Sequence, residues 1–216
     1  MTNSLLRTCA VSTVLLLSAC SAVGVAATPD PRQKLEDAQV LFDSKNRPLP
    51  AEGLILEAIK IFEQRQDWQW LGHSYREYGD LLKSDAVARL ESMYRRDGFR
   101  DKTITWENHL DRALEFYRMA LESYKRAELP NVQASQYDAL TNLYLNMGIS
   151  SHALGLDADA CSYYSQMIDA ADKNRALHPS MAPSPTQVER VVSHARAAAH
   201  CGETSPNNSL ERSRER

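Results

Sequence analysis

The chain should fold as an all-α protein, and three observations predict it. Apolar residues recur at steps of three and four along most of the sequence, the spacing that gathers them on one side of a helix. Runs of alternating β-branched residues, the mark of half-buried strands, are absent. Only 8 glycines interrupt 216 residues, so long helices can run unbroken. With both ends set aside, the length still suffices for one domain with a sizeable core.

A short first helix is expected over 33–44 (QKLEDAQVLFDS), closed by the breaker run Asn46-Arg47-Pro48-Leu49-Pro50. Ile55, Ala58, Ile59 and Phe62 define the buried side of a second helix, and Leu71, Tyr75, Tyr78 and Leu82 that of a third. The longest stripe is Leu110, Ala113, Leu114, Tyr117, Ala120, Leu121 and Tyr124. Two more follow, one through Tyr137, Leu140, Tyr144 and Met147, the other through Leu156, Ala160, Tyr164, Met167, Ile168 and Ala171. A last helix opens at Ser184-Pro185-Thr186-Gln187, a capping box with proline at the first helical position. It continues through Val188, Val191, Val192 and Ala195 to about Cys201. The tail 202–216 has no apolar face and is expected to be disordered.

Two of these helices carry a denser signal. In DWQWLGHSYREYGDLL, residues 67–82, Trp68, Leu71, Gly72 and Tyr75 match the first-helix pattern of tetratricopeptide repeats, and Gly79-Asp80 falls where that helix ends. A weaker copy is Tyr137, Leu140, Tyr144 and Gly148. The second-helix pattern occurs three times: Ala51, Ile55, Ala58, Ile59; Ala113, Tyr117, Ala120, Leu121; and Ala160, Tyr164, Met167, Ile168. The chain therefore resembles tetratricopeptide-repeat proteins over most of 33–174, which implies a solenoid of about three helical hairpins, with 175–201 as linker and capping helix. Glycine inside such a helix admits the neighbouring helix, and large residues a turn away fill the space beside it. The spacing departs from the family between Gly79 and Ala113, where an insertion is expected near 81–110, and again, less, between Gly148 and Ala160. An irregular helical bundle is the alternative.

The N-terminus speaks to compartment. Arg7 precedes an apolar run from Val11 to Leu17 that is too short to span a bilayer, so 1–19 reads as a secretory signal. The run ends in Leu17-Ser18-Ala19-Cys20, which resembles the lipobox of bacterial lipoproteins. That resemblance implies cleavage before Cys20, lipidation of its thiol, and a tether over 20–32. Diacylglycerol plus an N-acyl chain exceeds the two signals that stable anchoring takes. Ser21 in place of the family's retention aspartate implies the outer membrane, facing the periplasm. The alternative is an ordinary signal cut after Val25-Ala26-Ala27, which would leave no lipid.

Removing 1–19 takes away one charge, Arg7, so 25 cations become 24 against 28 carboxylates. This mild acidity speaks against nucleic acid as a partner. Of the four cysteines, Cys9 leaves with the signal and Cys20 is the lipidation site, while Cys161 and Cys201 remain in an oxidising compartment as a candidate disulfide. Closing a loop of that length contributes about 4 kcal/mol in the chain-entropy description. Two separate thiols are the other possibility.

Carrying the repeat family's groove positions onto this chain implies a partner-binding face made by Gln69, His73 and Arg76 from one repeat and by Asp138, Asn142 and Asn146 from the next. Each trio keeps to one side of its helix. Asn142 matches one position of the family's clamp for a terminal carboxylate, but the clamp lysines are missing. The expected insertion contains Arg95, Arg96, Phe99, Arg100 and Lys102, a possible docking loop, with Asp97 and Asp101 interleaved; a plain solvated connector is the competing reading.

No motif points to catalysis, a metal or a cofactor. The six histidines, at 73, 109, 152, 178, 194 and 200, include no pair four apart, and nucleophile elbows, phosphate loops and two-cysteine knuckles are absent. His194, His200 and Cys201 sit near one another, but a helix C-terminus favours histidine through its dipole alone. The expected role is a scaffold or adaptor for an envelope protein or peptide segment in a secretion, pilus or cell-wall machine. An immunity-type lipoprotein inhibiting a toxic envelope enzyme such as a lipase is the alternative.

Overall fold

The computed structural model describes residues 28–127, 134–177, 179 and 185–202. The expected signal segment, Cys20, the tether through 27, Ser184 of the capping box and the tail beyond Gly202 lie outside the described residues. Among the described residues there are nine α-helices and no strand.

Asp30 opens α1 (Pro31–Gln39) by accepting a hydrogen bond from the Arg32 N–H at 2.9 Å, with Pro31 in the first turn, where a missing N–H costs nothing. The helix widens into a π-helical turn, Val40–Ser44, before ending near Asn46, whose φ of 51° is left-handed. The expected break at 48–50 is displaced: α2 (Pro48–Arg65) begins at Pro48, so Pro48 and Pro50 are in its first turn. The first N–H groups of a helix have no partner inside it, so proline starts a helix as readily as it stops one.

Gln66 (φ 53°) and Asp67 alone join α2 to α3 (Trp68–Leu82). The Gln66 N–H reaches the Glu63 carbonyl and the Asp67 N–H that of Phe62, which closes α2, while the Asp67 carboxylate caps the Trp70 N–H. The link from α7 (Ala134–Ala153) to α8 (Asp157–Leu177) is also short, residues 154–156. Gly155, at φ 74°, lets its own N–H reach His152 and the Leu156 N–H reach Ser151. The residues expected as a small insertion after Gly148 thus extend helices rather than loop out. A third such turn, with His200 left-handed at φ 52°, ends α9 (Pro185–Ala198).

The insertion between α3 and α6 (His109–Arg126) forms two short helices, α4 (Asp85–Ala88) and α5 (Glu91–Asp97), and a loop. Ser84 caps α4 through the Val87 N–H, and Gly98 (φ 72°) ends α5. This loop corrects one expectation. Phe99, which a docking role in the expected insertion would expose, is 1% exposed and stacks on buried Tyr94 with ring centroids 4.2 Å apart. Its neighbour Arg100 donates its backbone N–H to Glu52 of α2 at 2.7 Å, and buried Tyr78 donates to the same carboxylate oxygen at 3.0 Å. Burial pushes the proton affinity of Glu52 up, and these donors offset part of that.

Three helix pairs carry the packing: α1 with α2, α3 with α6, and α7 with α8. The first meets the second through α3, the second meets the third through α6 and α7, and α9 packs on α8. Leu35, Leu41, Ile55, Phe62, Tyr78, Leu82, Leu114, Tyr117 and Leu143 belong to one continuous core. Tyr164, Met167 and Ala171 of α8 form a second core with Val188 and Val192 of α9. There Cys161 and Cys201 are joined by a disulfide with Cα atoms 5.5 Å apart.

Tyrosine rings against glycines set how closely paired helices approach. A Cβ at Gly79 would lie 2.6 Å from Tyr117 Cε1, one at Gly72 2.7 Å from the Tyr124 ring, and one at Gly148 would overlap the edge of the Tyr164 ring. Gly79→Ala should therefore destabilise the chain by about 1–3 kcal/mol through overpacking, although alanine is the better helix former. Gly53→Ala in α2, whose Cβ would meet only the flexible end of Arg100, should be near neutral. Urea unfolding of both checks this, and equal stability for Gly79→Ala and the parent would refute the interlock.

Candidate functional site

A second stripe runs along α3 beside its apolar one. His73, Arg76, Asp80 and Lys83 follow one another at steps of three and four, with Glu77 alongside, so the helix that buries Leu71, Tyr75 and Tyr78 in the core also aligns charges on one flank. At its C-terminal end this stripe borders a cavity of about 460 Å³. The walls come from four segments: Gln39 and Asp43 at the π turn, Glu77, Asp80 and Lys83 on α3, Asp85 and Arg89 around α4, and Asn146 on α7. Glu77 is buried, Asp80, Lys83 and Asn146 are half-buried, and Asp43, Asp85 and Arg89 are exposed at the rim.

Asp80 holds the arrangement together. One of its oxygens, Oδ1, accepts from the Tyr117 hydroxyl at 2.6 Å and from the Asn146 amide at 2.8 Å; the other lies 3.5 Å from the Arg76 guanidinium. Asn146 in turn accepts from Lys83 Nζ at 2.8 Å, and that ammonium lies 5.8 Å from the centre of the Tyr117 ring. Arg76 pairs with Glu77 through Oε1, and Oε2 of Glu77, buried, has no hydrogen-bond partner.

The charges are tuned by this crowding. Burial pushes Glu77 up to about 7; Arg76 works against that shift, and Asp80 and Asp43 add to it. Burial raises Asp43 as well, with Asp80 contributing and Gln39 opposing. Burial draws Lys83 down and Asp80 partly restores it. Burial also works against the charge on Arg76, but Glu77 and Asp80 more than offset it, so the guanidinium stays charged.

The groove residues expected from sequence divide into three groups. Arg76 and Asn146, from different helix pairs, are brought together through Asp80. His73 sits 5.1 Å from the Trp70 ring and accepts or donates at 3.0 Å with the Tyr124 hydroxyl; burial first, then Arg76, lowers it to about 4, so it is neutral at pH 7. Gln69 is half-buried at the start of α3, whereas Asp138 and Asn142 are exposed on α7, where Asn142 donates to the Asp138 carbonyl at 3.1 Å. Arg76 and Asn142 are thus not equivalent: the first is mostly buried and ion-paired, the second exposed.

The cations of the insertion are engaged within the chain. Arg95 pairs with Glu91 and Glu107, Arg96 with Asp97, Arg100 Nε donates to the Leu49 carbonyl at 3.2 Å, and Lys102 donates to the Phe99 carbonyl at 2.9 Å. Phe99 itself is buried, so this loop does not offer it as an apolar contact. Among the described residues, no group of three or more histidine, cysteine, aspartate or glutamate side chains is arranged to hold a metal ion, and no helix is long and apolar enough to cross a membrane.

Sequence reasoning passed over Glu77, Lys83 and Asp43 and treated Asp80 only as a helix-end residue. The step pattern of α3 carried a signal for the first two; nothing local pointed to Asp43, which the π turn brings to the cavity. In comparisons with family models, curated proteins and solved structures, the chain has no match.

Arg76→Ala leaves Glu77 and Asp80 facing each other without their cation and should cost about 3 kcal/mol near neutral pH, whereas exposed Asn142→Ala should stay within about 0.5 kcal/mol of the parent. Urea midpoints for the two variants measure this, and an Arg76→Ala chain as stable as Asn142→Ala would refute the network. Glu77 also sets a pH signature. Its folded value, about 7, lies above the ordinary 4.5, so the folded chain binds the extra proton between the two. The stability Glu77 contributes is therefore full below the lower value and is lost as pH rises through the upper one. Against Glu77→Gln, which lacks this term, the parent should lose stability between about pH 5 and about pH 7.5. Parallel pH–stability curves for the two chains would refute the shift.

Proposed function

We propose that the chain is a membrane-tethered adaptor: a lipoprotein, anchored through Cys20 on the periplasmic side of the outer membrane, whose tetratricopeptide-like hairpins present one face to a segment of an envelope protein. The observation that carries the repeat reading is the recurrence of one interlock. Gly79 and Gly148, equivalent in the repeat pattern, are each overlaid by the tyrosine equivalent in that pattern, Tyr117 and Tyr164. The first helix of each hairpin, α1, α3 and α7, supplies a wall of the cavity, and in such stacks ligands lie along the first helices. The lipobox and the short apolar run before it support the anchor.

Two linked measurements test this. Cys20→Ala should abolish palmitate labelling and shift the chain out of the membrane fraction; unchanged labelling and fractionation would overturn the anchor. A photo-crosslinking residue placed at Gln39 or Asn142 should join the chain to one envelope protein, while the same residue at Met119, exposed on α6, should not. Crosslinking from Met119 alone would move the binding face to the other side of the molecule.

A further inference from the structure

The cavity at the end of α3 has an imbalance that its own side chains leave uncorrected. Four carboxylates line it, Asp43, Glu77, Asp80 and Asp85, against two cations, Lys83 and Arg89. Both cations are already engaged: Lys83 with Asn146 and the Tyr117 ring, Arg89 with the Asn46 side chain at 2.9 Å. Arg76 is committed to Glu77 Oε1 and Asp80. Glu77, whose side chain is 7% exposed, keeps Oε2 without a partner, a configuration that is costly unless something of opposite charge satisfies it.

We infer that this cavity is a receptor for a single basic side chain, lysine or arginine, carried on the partner segment that lies along α1, α3 and α7. The inference rests on the adaptor reading for its partner but on the cavity alone for its chemistry. Size favours a side chain over a bare ion, because about 460 Å³ holds roughly fifteen water volumes, far more than one small cation fills. The shape of the charge favours it too. Exposed Asp43 and Asp85 stand at the rim, half-buried Asp80 and buried Glu77 deeper, so an incoming alkyl chain meets half-buried walls while its charged end moves towards carboxylates of increasing burial. A cation there also offsets the burial, and after it the repulsion among carboxylates, that raise the proton affinity of Glu77 and Asp43.

The test titrates the full chain in mild detergent with capped alanine pentapeptides carrying lysine, arginine or norleucine at the centre, and reads the side-chain amide resonance of Asn146. The lysine or arginine peptide should shift it saturably, and norleucine, which has the carbon chain of lysine without its ammonium, should not. Asp43→Asn, at the exposed rim where folding is not at stake, and Glu77→Gln, checked by its melting curve, should each weaken binding about tenfold. Norleucine binding equally well, basic peptides unaffected by Asp43→Asn, or no shift at millimolar peptide would overturn the receptor. Putrescine, a free diamine, saturating the site at lower concentration than either peptide would overturn the peptide as its occupant. If the peptides fail while crosslinking from Gln39 still finds an envelope protein, the adaptor reading stands without this inference; if the peptides bind but no partner crosslinks, the reverse holds.

Discussion

Tyr117 performs two tasks that are usually separate. Its ring fills the space left by the missing side chain of Gly79 and so sets the distance between α3 and α6, while its hydroxyl donates to Asp80. The hydroxyl can reach that carboxylate only because the helices are this close. The position of Asp80 then fixes Asn146 on α7 and, through it, Lys83. Packing in the core is thereby converted into placement of charge at the surface. A residue that both closes a hairpin and orients a polar cluster leaves little freedom for either to change alone.

The polar cluster contributes little to stability for the number of charges it contains. Glu77 is held where its charged form is disfavoured, and the cations near it are divided among several acceptors. Replacing such a buried arrangement with apolar side chains of similar size often costs nothing or stabilises a fold. Its presence at the junction of four segments is more economically explained by recognition than by folding, which is the physical ground for the proposed binding face.

Much of the architecture was legible because helices announce themselves locally. The stripes at Ile55–Phe62, Leu110–Tyr124 and Ala160–Ala171 fall in α2, α6 and α8, whereas Leu156 precedes α8 and is exposed. The glycines at 72, 79 and 148 do admit the neighbouring helix, but what fills the space is a tyrosine of that helix rather than a large residue a turn away. Pro48 and Pro50 misled because the same residue ends one helix and begins another, and only the chain direction of the following stripe decides which. Phe99 misled for a different reason. Its neighbours are charged, and the ring stacks on Tyr94 while the adjacent backbone, at the Arg100 N–H, is held by Glu52 of α2, which no local window contains. The cavity was the least legible part. Arg76 and Asn146 were picked out, but their meeting point, Asp80, depends on contacts spanning 66 residues of sequence.

The disulfide gives the stack a direction. Where helix pairs pack mainly on the adjacent pair, opening starts at an end, where one interface rather than two must be broken. Cys161 and Cys201 clamp α8 to the turn that follows α9, so that end is covalently closed. Among the described residues, α1 and its π turn at the other end have no such clamp. Thermal fraying should therefore favour the end that carries Asp43, which puts the cavity at the end of α3 between the clamped and the unclamped parts of the chain.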